Sequence, residues 1–186
     1  MKSVKTIVII IAAVVAVAIL AVVGVNSFAA SAIRYEEKVT EALSDVKVQE
    51  KERADLLPNL ANCVKEYDKH EYDTLVAVIN ARKQSDGTIS DSDAEEIKEM
   101  IVKFVNENYP ELQSQKNYSQ LMKDITTQEN LIREARKAYN SAVSRYNEYV
   151  RNPNHKFFLN LTGYEFQEFS KLDYEVSADA PTNLFG

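Results

Sequence analysis

The sequence has no tryptophan, a single cysteine, two histidines, four glycines and four prolines. Each scarcity excludes something. Cys63 alone cannot close an internal disulfide, so cysteine usage is silent on the redox compartment. So few glycines and prolines leave few places for the tight turns of a hairpin-rich fold. Acidic residues are missing from the N-terminal stretch: all 28 lie after Ile33, together with 20 of the 22 basic ones. The part beyond Ile33 therefore carries a net charge of −8, 20 basic against 28 acidic residues. That excess argues against a nucleic-acid partner, because phosphate binding needs a basic face. No G-x-S-x-G elbow, Walker loop or G-x-G-x-x-G turn occurs.

What the N-terminal stretch has is an unbroken apolar run, Ile7 to Val25, IVIIIAAVVAVAILAVVGV. As a helix it spans roughly 28 Å, close to the ~30 Å hydrocarbon thickness of a bilayer. Lys2 and Lys5 precede it, and Arg34 is the next charge. A basic start and the small residues Ala30-Ser31-Ala32 also fit a cleaved signal peptide. The apolar core of a signal peptide is about 7–15 residues, shorter than this run, so we expect an uncleaved anchor over residues 1–33. The two leading lysines favour an N-terminus in the cytoplasm and the bulk of the chain outside.

Beyond the anchor the chain reads as all-α. We expect the membrane helix to continue into an antiparallel, up-down bundle of three or four long helices over residues 34–152. Between Val25 and Asp86 there is no glycine, and Pro58 is the one proline. Ile33, Val39, Leu43, Val46, Leu57, Leu60, Val64, Leu75, Val78 and Ile79 fall at helical spacings. They predict a stalk helix over 34–83, kinked near Pro58 and recapped by Asp55. Gln84 to Asp91, QSDGTISD, reads as a loop and as the place where disorder is expected. Ser92 and Glu95 form a capping-box pattern that opens a helix over 92–108, ended by Tyr109-Pro110. A third helix, 117–152, carries Tyr118, Ile125, Ile132, Tyr139 and Tyr146 at one heptad position. Leu121, Gln128, Ala135, Ala142 and Tyr149 fall at the other. Pro153 is expected to stop it. Residues 153–186 read as an aromatic segment, broken by Gly163, and an extended tail with Leu184-Phe185 at its tip.

Candidate chemistry is sparse. His70-Glu71 opens like H-E-x-x-H, but Thr74 stands where the second histidine is needed, so no metal site is expected. Cys63 reads as a packed thiol rather than a nucleophile. We expect no catalytic residues and no cofactor. Glu50, Arg53, Gln128, Glu129, Arg133 and Arg136 are the polar residues of the helix seams. They read either as a binding cluster or, by preference, as a network that fixes helix register. The candidate interaction surface is the aromatic segment: Phe157, Phe158, Leu161, Tyr164, Phe166 and Phe169. It can cover its own bundle, touch lipid or meet a neighbouring copy.

Several stretches resemble the LemA family of bacterial membrane-anchored helical proteins. They are Glu41 to Asp45 (EALSD), Asp55 to Leu60 (DLLPNL), Val64 to Glu71 (VKEYDKHE), Tyr109 to Leu112 (YPEL), Leu121 and Glu129-Asn130. Arg136 to Tyr149, RKAYNSAVSRYNEY, and the tail from Pro181 to Phe185 complete the series in the family's order. Leu43 stands where the family usually has tryptophan, and Ala54 where histidine is common. The resemblance implies a single N-terminal membrane helix followed by an antiparallel helical bundle, in the bacterial inner membrane. Some relatives look like organisers of internal membranes, including those around magnetosomes. The expected function is a non-enzymatic, membrane-anchored scaffold that self-associates and organises or shapes the membrane. Its expected partners are the lipid bilayer and further copies of itself. The alternative is an accessory or adaptor subunit that presents its bundle to another envelope protein, such as a protease or transporter.

Overall fold

The computed structural model describes residues 2–172. Over these it contains five α-helices, one 3-10 helix and no strand. The helices are α1 (Lys2–Asn62), α2 (Lys69–Arg82), α3 (Asp91–Asn108), α4 (Lys116–Arg151) and α5 (Pro153–Thr162). The 3-10 turn Pro110–Ser114 joins α3 to α4. The expected extended tail and its Leu184-Phe185 tip lie outside the described residues.

The chain divides into two compact units, residues 1–40 with 139–186, and residues 41–138. The first contains the apolar run. Residues 9–24 of α1 are exposed throughout, and none of the other described residues covers them. The N-terminal part of α1 is long and apolar enough to cross a membrane.

The second unit is built on one core. Leu57, Leu60 and Val64 meet Leu75 and Ile79 of α2, Ile97, Ile101 and Val105 of α3, and Tyr118 and Ile125 of α4. Ion pairs sit at its margin: Arg82 with Glu96 (2.5 Å) joins α2 to α3, and Lys98 with Glu129 (3.1 Å) joins α3 to α4.

The stalk differs from the expectation. α1 runs through Pro58 for another turn, with Asp55 inside it, and ends at Asn62 rather than near residue 83. The chain then tightens through Cys63 N–H to Leu60 C=O (3.1 Å) and Val64 N–H to Ala61 C=O (3.0 Å). It restarts because Asp68, in an extended conformation, accepts from the Glu71 N–H at 3.0 Å and caps α2. The break thus falls where a new cap is available, not at the proline. Asp55 pairs with Lys83 instead (3.1 Å).

The start of α3 is also displaced. Ser90, not Ser92, is the N-cap: its hydroxyl oxygen accepts from the Asp93 N–H (3.1 Å) and donates to the Asp93 carboxylate (2.6 Å). This frame buries Ile89 and Ala94 on either side of the first turn. The preceding loop is closed rather than open. The Gln84 N–H donates to the Thr88 carbonyl (2.8 Å), and the Asp86 carboxylate accepts from both Thr88 N–H and hydroxyl.

Pro153 does not simply end α4. It is the first residue of α5, capped by the Asn152 side chain, which accepts from the Asn154 N–H at 3.0 Å. Gly163 closes α5 at φ +70°, with Gly163 N–H to Asn160 C=O and Tyr164 N–H to Leu159 C=O, both 3.2 Å. That is a Schellman ending, in which a left-handed residue turns the chain back on the helix.

Candidate functional site

Two side-chain clusters stand out, one in each unit. In residues 41–138, every seventh residue of α1 from Val46 faces inward, and Arg53 occupies that position between Val46 and Leu60. Its side chain is only 7% exposed. A charge there needs partners, and the chain supplies them. Arg53 donates to the Asp91 carboxylate and to the Ile89 carbonyl, both at 2.9 Å. Arg136 bridges Asp91 and Glu50. Two guanidinium groups and two carboxylates are thus balanced. Burial pushes the Asp91 carboxyl up, but hydrogen bonds and charge from Arg136 and Arg53 outweigh it and hold it below the usual carboxylate range.

Of the polar seam residues, Glu50, Arg53 and Arg136 therefore do meet. Gln128 does not join them. It donates to the Gln49 carbonyl (3.0 Å) and side-chain oxygen (2.7 Å). Glu129 pairs with Lys98, and Arg133 reaches Asn130 on its own helix. Asp91 was missed because it sat at the edge of a presumed loop. Its position just after an N-cap serine was the available signal.

This cluster has no nucleophile. Cys63 is half-buried, and burial raises its thiol pKa, which disfavours the thiolate. His70 is exposed. Among the described residues no three histidine, cysteine, aspartate or glutamate side chains are grouped to hold a metal ion.

The second cluster is aromatic and belongs to the unit holding the apolar run. Phe28 of α1 stacks on Phe158 of α5, ring centroids 4.8 Å apart, and lies 5.4 Å from His155. Tyr149 donates its hydroxyl to the Phe28 carbonyl (3.2 Å) and packs on Tyr35 (5.0 Å). Tyr146 is fully buried. Its hydroxyl meets that of Tyr164 (3.2 Å) and accepts from the Gln167 N–H (2.8 Å), while Phe169 abuts its ring edge-on. Tyr164 donates to Glu36 (2.9 Å). Burial, then the hydrogen bonds with Tyr146 and Glu36, raise the Tyr164 phenol well above the usual tyrosine range, so it stays a donor.

Residues 163–172 run back along α4 as a strap. Tyr139 donates to the Ser170 carbonyl (3.0 Å), and the Asn140 amide both donates to the Leu172 carbonyl and accepts from the Leu172 N–H, each at 2.8 Å. The six candidate surface residues thus divide. Phe158, Tyr164 and Phe169 engage their own unit, while Phe157 and Leu161 are each 66% exposed and Phe166 is also exposed.

The LemA family model matches residues 42–185. The chain belongs to the LemA family. The match covers the ion cluster, the aromatic cluster after Tyr139 and the strap, and leaves out the apolar run. No curated protein matches the chain. LemA is not known as an enzyme family.

Proposed function

We propose that this LemA-family chain is a non-enzymatic scaffold, held in the bacterial inner membrane by residues 7–25, that self-associates and organises the membrane around it. The N-terminus lies in the cytoplasm, and the helices beyond the anchor fold back as an antiparallel bundle outside. The observation that carries the reading is the bare apolar rod of residues 9–24, continuous in one helix with a packed domain. In the ion cluster the Glu50 and Asp91 carboxylates are taken up by Arg53 and Arg136, an arrangement that supports holding helices in register. Apolar side chains left uncovered beyond the rod, Ile33, Val48 and Leu131, support contact between copies.

Native mass measurement of the full-length protein in mild detergent and in lipid nanodiscs tests this. The proposal expects homogeneous multimers that persist on dilution. A monomer that recovers one foreign envelope protein from membranes would overturn self-association in favour of the adaptor reading.

A further inference from the structure

Three observations meet at the water-side end of the apolar run. The first is depth. Residues 9–24 are exposed throughout, and just beyond them Phe28 of α1 stacks on Phe158 of α5. Phe28 lies three residues past Val25, about 4.5 Å along the helix axis. A run of roughly 28 Å fills the hydrocarbon, so Phe28 and the helix stacked on it fall within the polar layer about 5–8 Å deep on that side.

The second is shape. α5 buries Leu159 and half-buries Phe158, but Phe157 and Leu161 stand uncovered. They are four residues apart and share one helix face. The third is charge. In a chain with 28 acidic residues, none occurs before Glu36 and none between Tyr149 and Tyr164. The charges in these stretches, apart from Lys2 and Lys5 at the far end of the run, are Arg34, Arg151 and Lys156, all exposed.

We propose that α5 is an interfacial membrane helix. It lies in the headgroup layer, inserts Phe157 and Leu161 between lipids, and sets Arg34, Arg151 and Lys156 against anionic headgroups. The inference rests on the reading of residues 7–25 as a membrane span. Lipid is favoured over a second copy as the occupant of this face. A second copy in the same membrane would bring the same acid-free, cationic layer to the same depth, and like charges oppose that contact.

The absence of tryptophan makes the test clean, because Phe157→Trp creates a single tryptophan, excitable apart from the tyrosines, at an exposed position. The full-length protein is placed at high dilution in phosphatidylcholine–phosphatidylglycerol vesicles carrying lipids brominated at shallow or deep acyl positions. Val15→Trp reports the span, and Val48→Trp the aqueous domain. The expected result is blue-shifted Phe157→Trp emission that loses intensity more to shallow than to deep bromine, and loses less when phosphatidylglycerol is omitted. Val15→Trp should be quenched by deep bromine and Val48→Trp by neither. If Phe157→Trp is unquenched while Val15→Trp is quenched, the anchor stands and the interfacial helix is wrong. If neither is quenched, both readings fall.

Discussion

Asp91→Asn is the most informative single change, because it removes one charge from the ion cluster with almost no change in shape. The Asp91 carboxylate takes Arg53 at 2.9 Å and also Arg136, and these arginine side chains are 7% and 17% exposed. Breaking a fully buried ion pair from one side costs about 3–5 kcal/mol. Asp91 keeps 35% of its side chain in water, so solvent screens part of that loss. The start of α3 also loses a favourable charge at its positive end, worth about 0.3–1 kcal/mol. Together these give about 2–3 kcal/mol, or roughly 5–10 °C in midpoint for a chain of this size. The assay is thermal unfolding of the full-length protein in detergent, followed by circular dichroism. Because the folded pKa of Asp91 is depressed, its contribution is complete above the ordinary aspartate pKa of ~3.9 and is lost as pH falls through the lower folded value. The gap between wild type and variant should therefore close in acid. A neutral-pH difference under about 2 °C, or a gap that persists at acid pH, would refute the reasoning.

Other outcomes follow from the geometry within each unit. Tyr146→Phe removes the acceptor of the Gln167 N–H and the partner of the Tyr164 hydroxyl, so it should cost about 1–2 kcal/mol and speed hydrogen exchange from Gln167 to Leu172. Gly163→Ala meets no neighbour within 4 Å but forces φ +70° on a residue with a Cβ, so a loss of about 1 kcal/mol with faster exchange at Tyr164 is expected. Ile101→Ala, at a fully buried core position, should destabilise by about 2–5 kcal/mol in chemical denaturation, well beyond Leu131→Ala at the exposed surface.

Much of the architecture is legible in the sequence because helix periodicity is long and clean. Tyr118, Ile125, Ile132, Tyr139 and Tyr146 are all buried as their heptad spacing requires. The second seam drifts. A helix with 3.6 residues per turn slips against a seven-residue count, so Val143 and Val150 are buried where Ala142 and Tyr149 were expected. On α1 the seven-residue count holds through Val46, Val39 and Ala32, which puts Ala32 rather than Ile33 inside. Caps were harder to read, because several polar residues competed at each helix start. Ser90 won over Ser92 by burying Ile89 and Ala94, and Asp68 took the cap that Asp55 was expected to supply. The Asp91 contact to Arg53 joins residues 38 positions apart, and nothing local in the sequence announces it. α5 was hidden because proline reads as a stop as readily as a first helical residue.

The grip of Asn140 on Leu172 has a practical corollary. One carboxamide clasps both polar atoms of a single peptide residue, so what it recognises is backbone and not a side chain. Residues 165–168 of the strap all point enough into solvent to be exposed. Apart from Phe166, whose ring meets Tyr164 edge-on at 5.5 Å, their side chains are free to change over evolutionary time, or at an engineer's bench, provided position 140 keeps an amide of that length. A label or affinity handle grafted there would ride on the strap without loosening it.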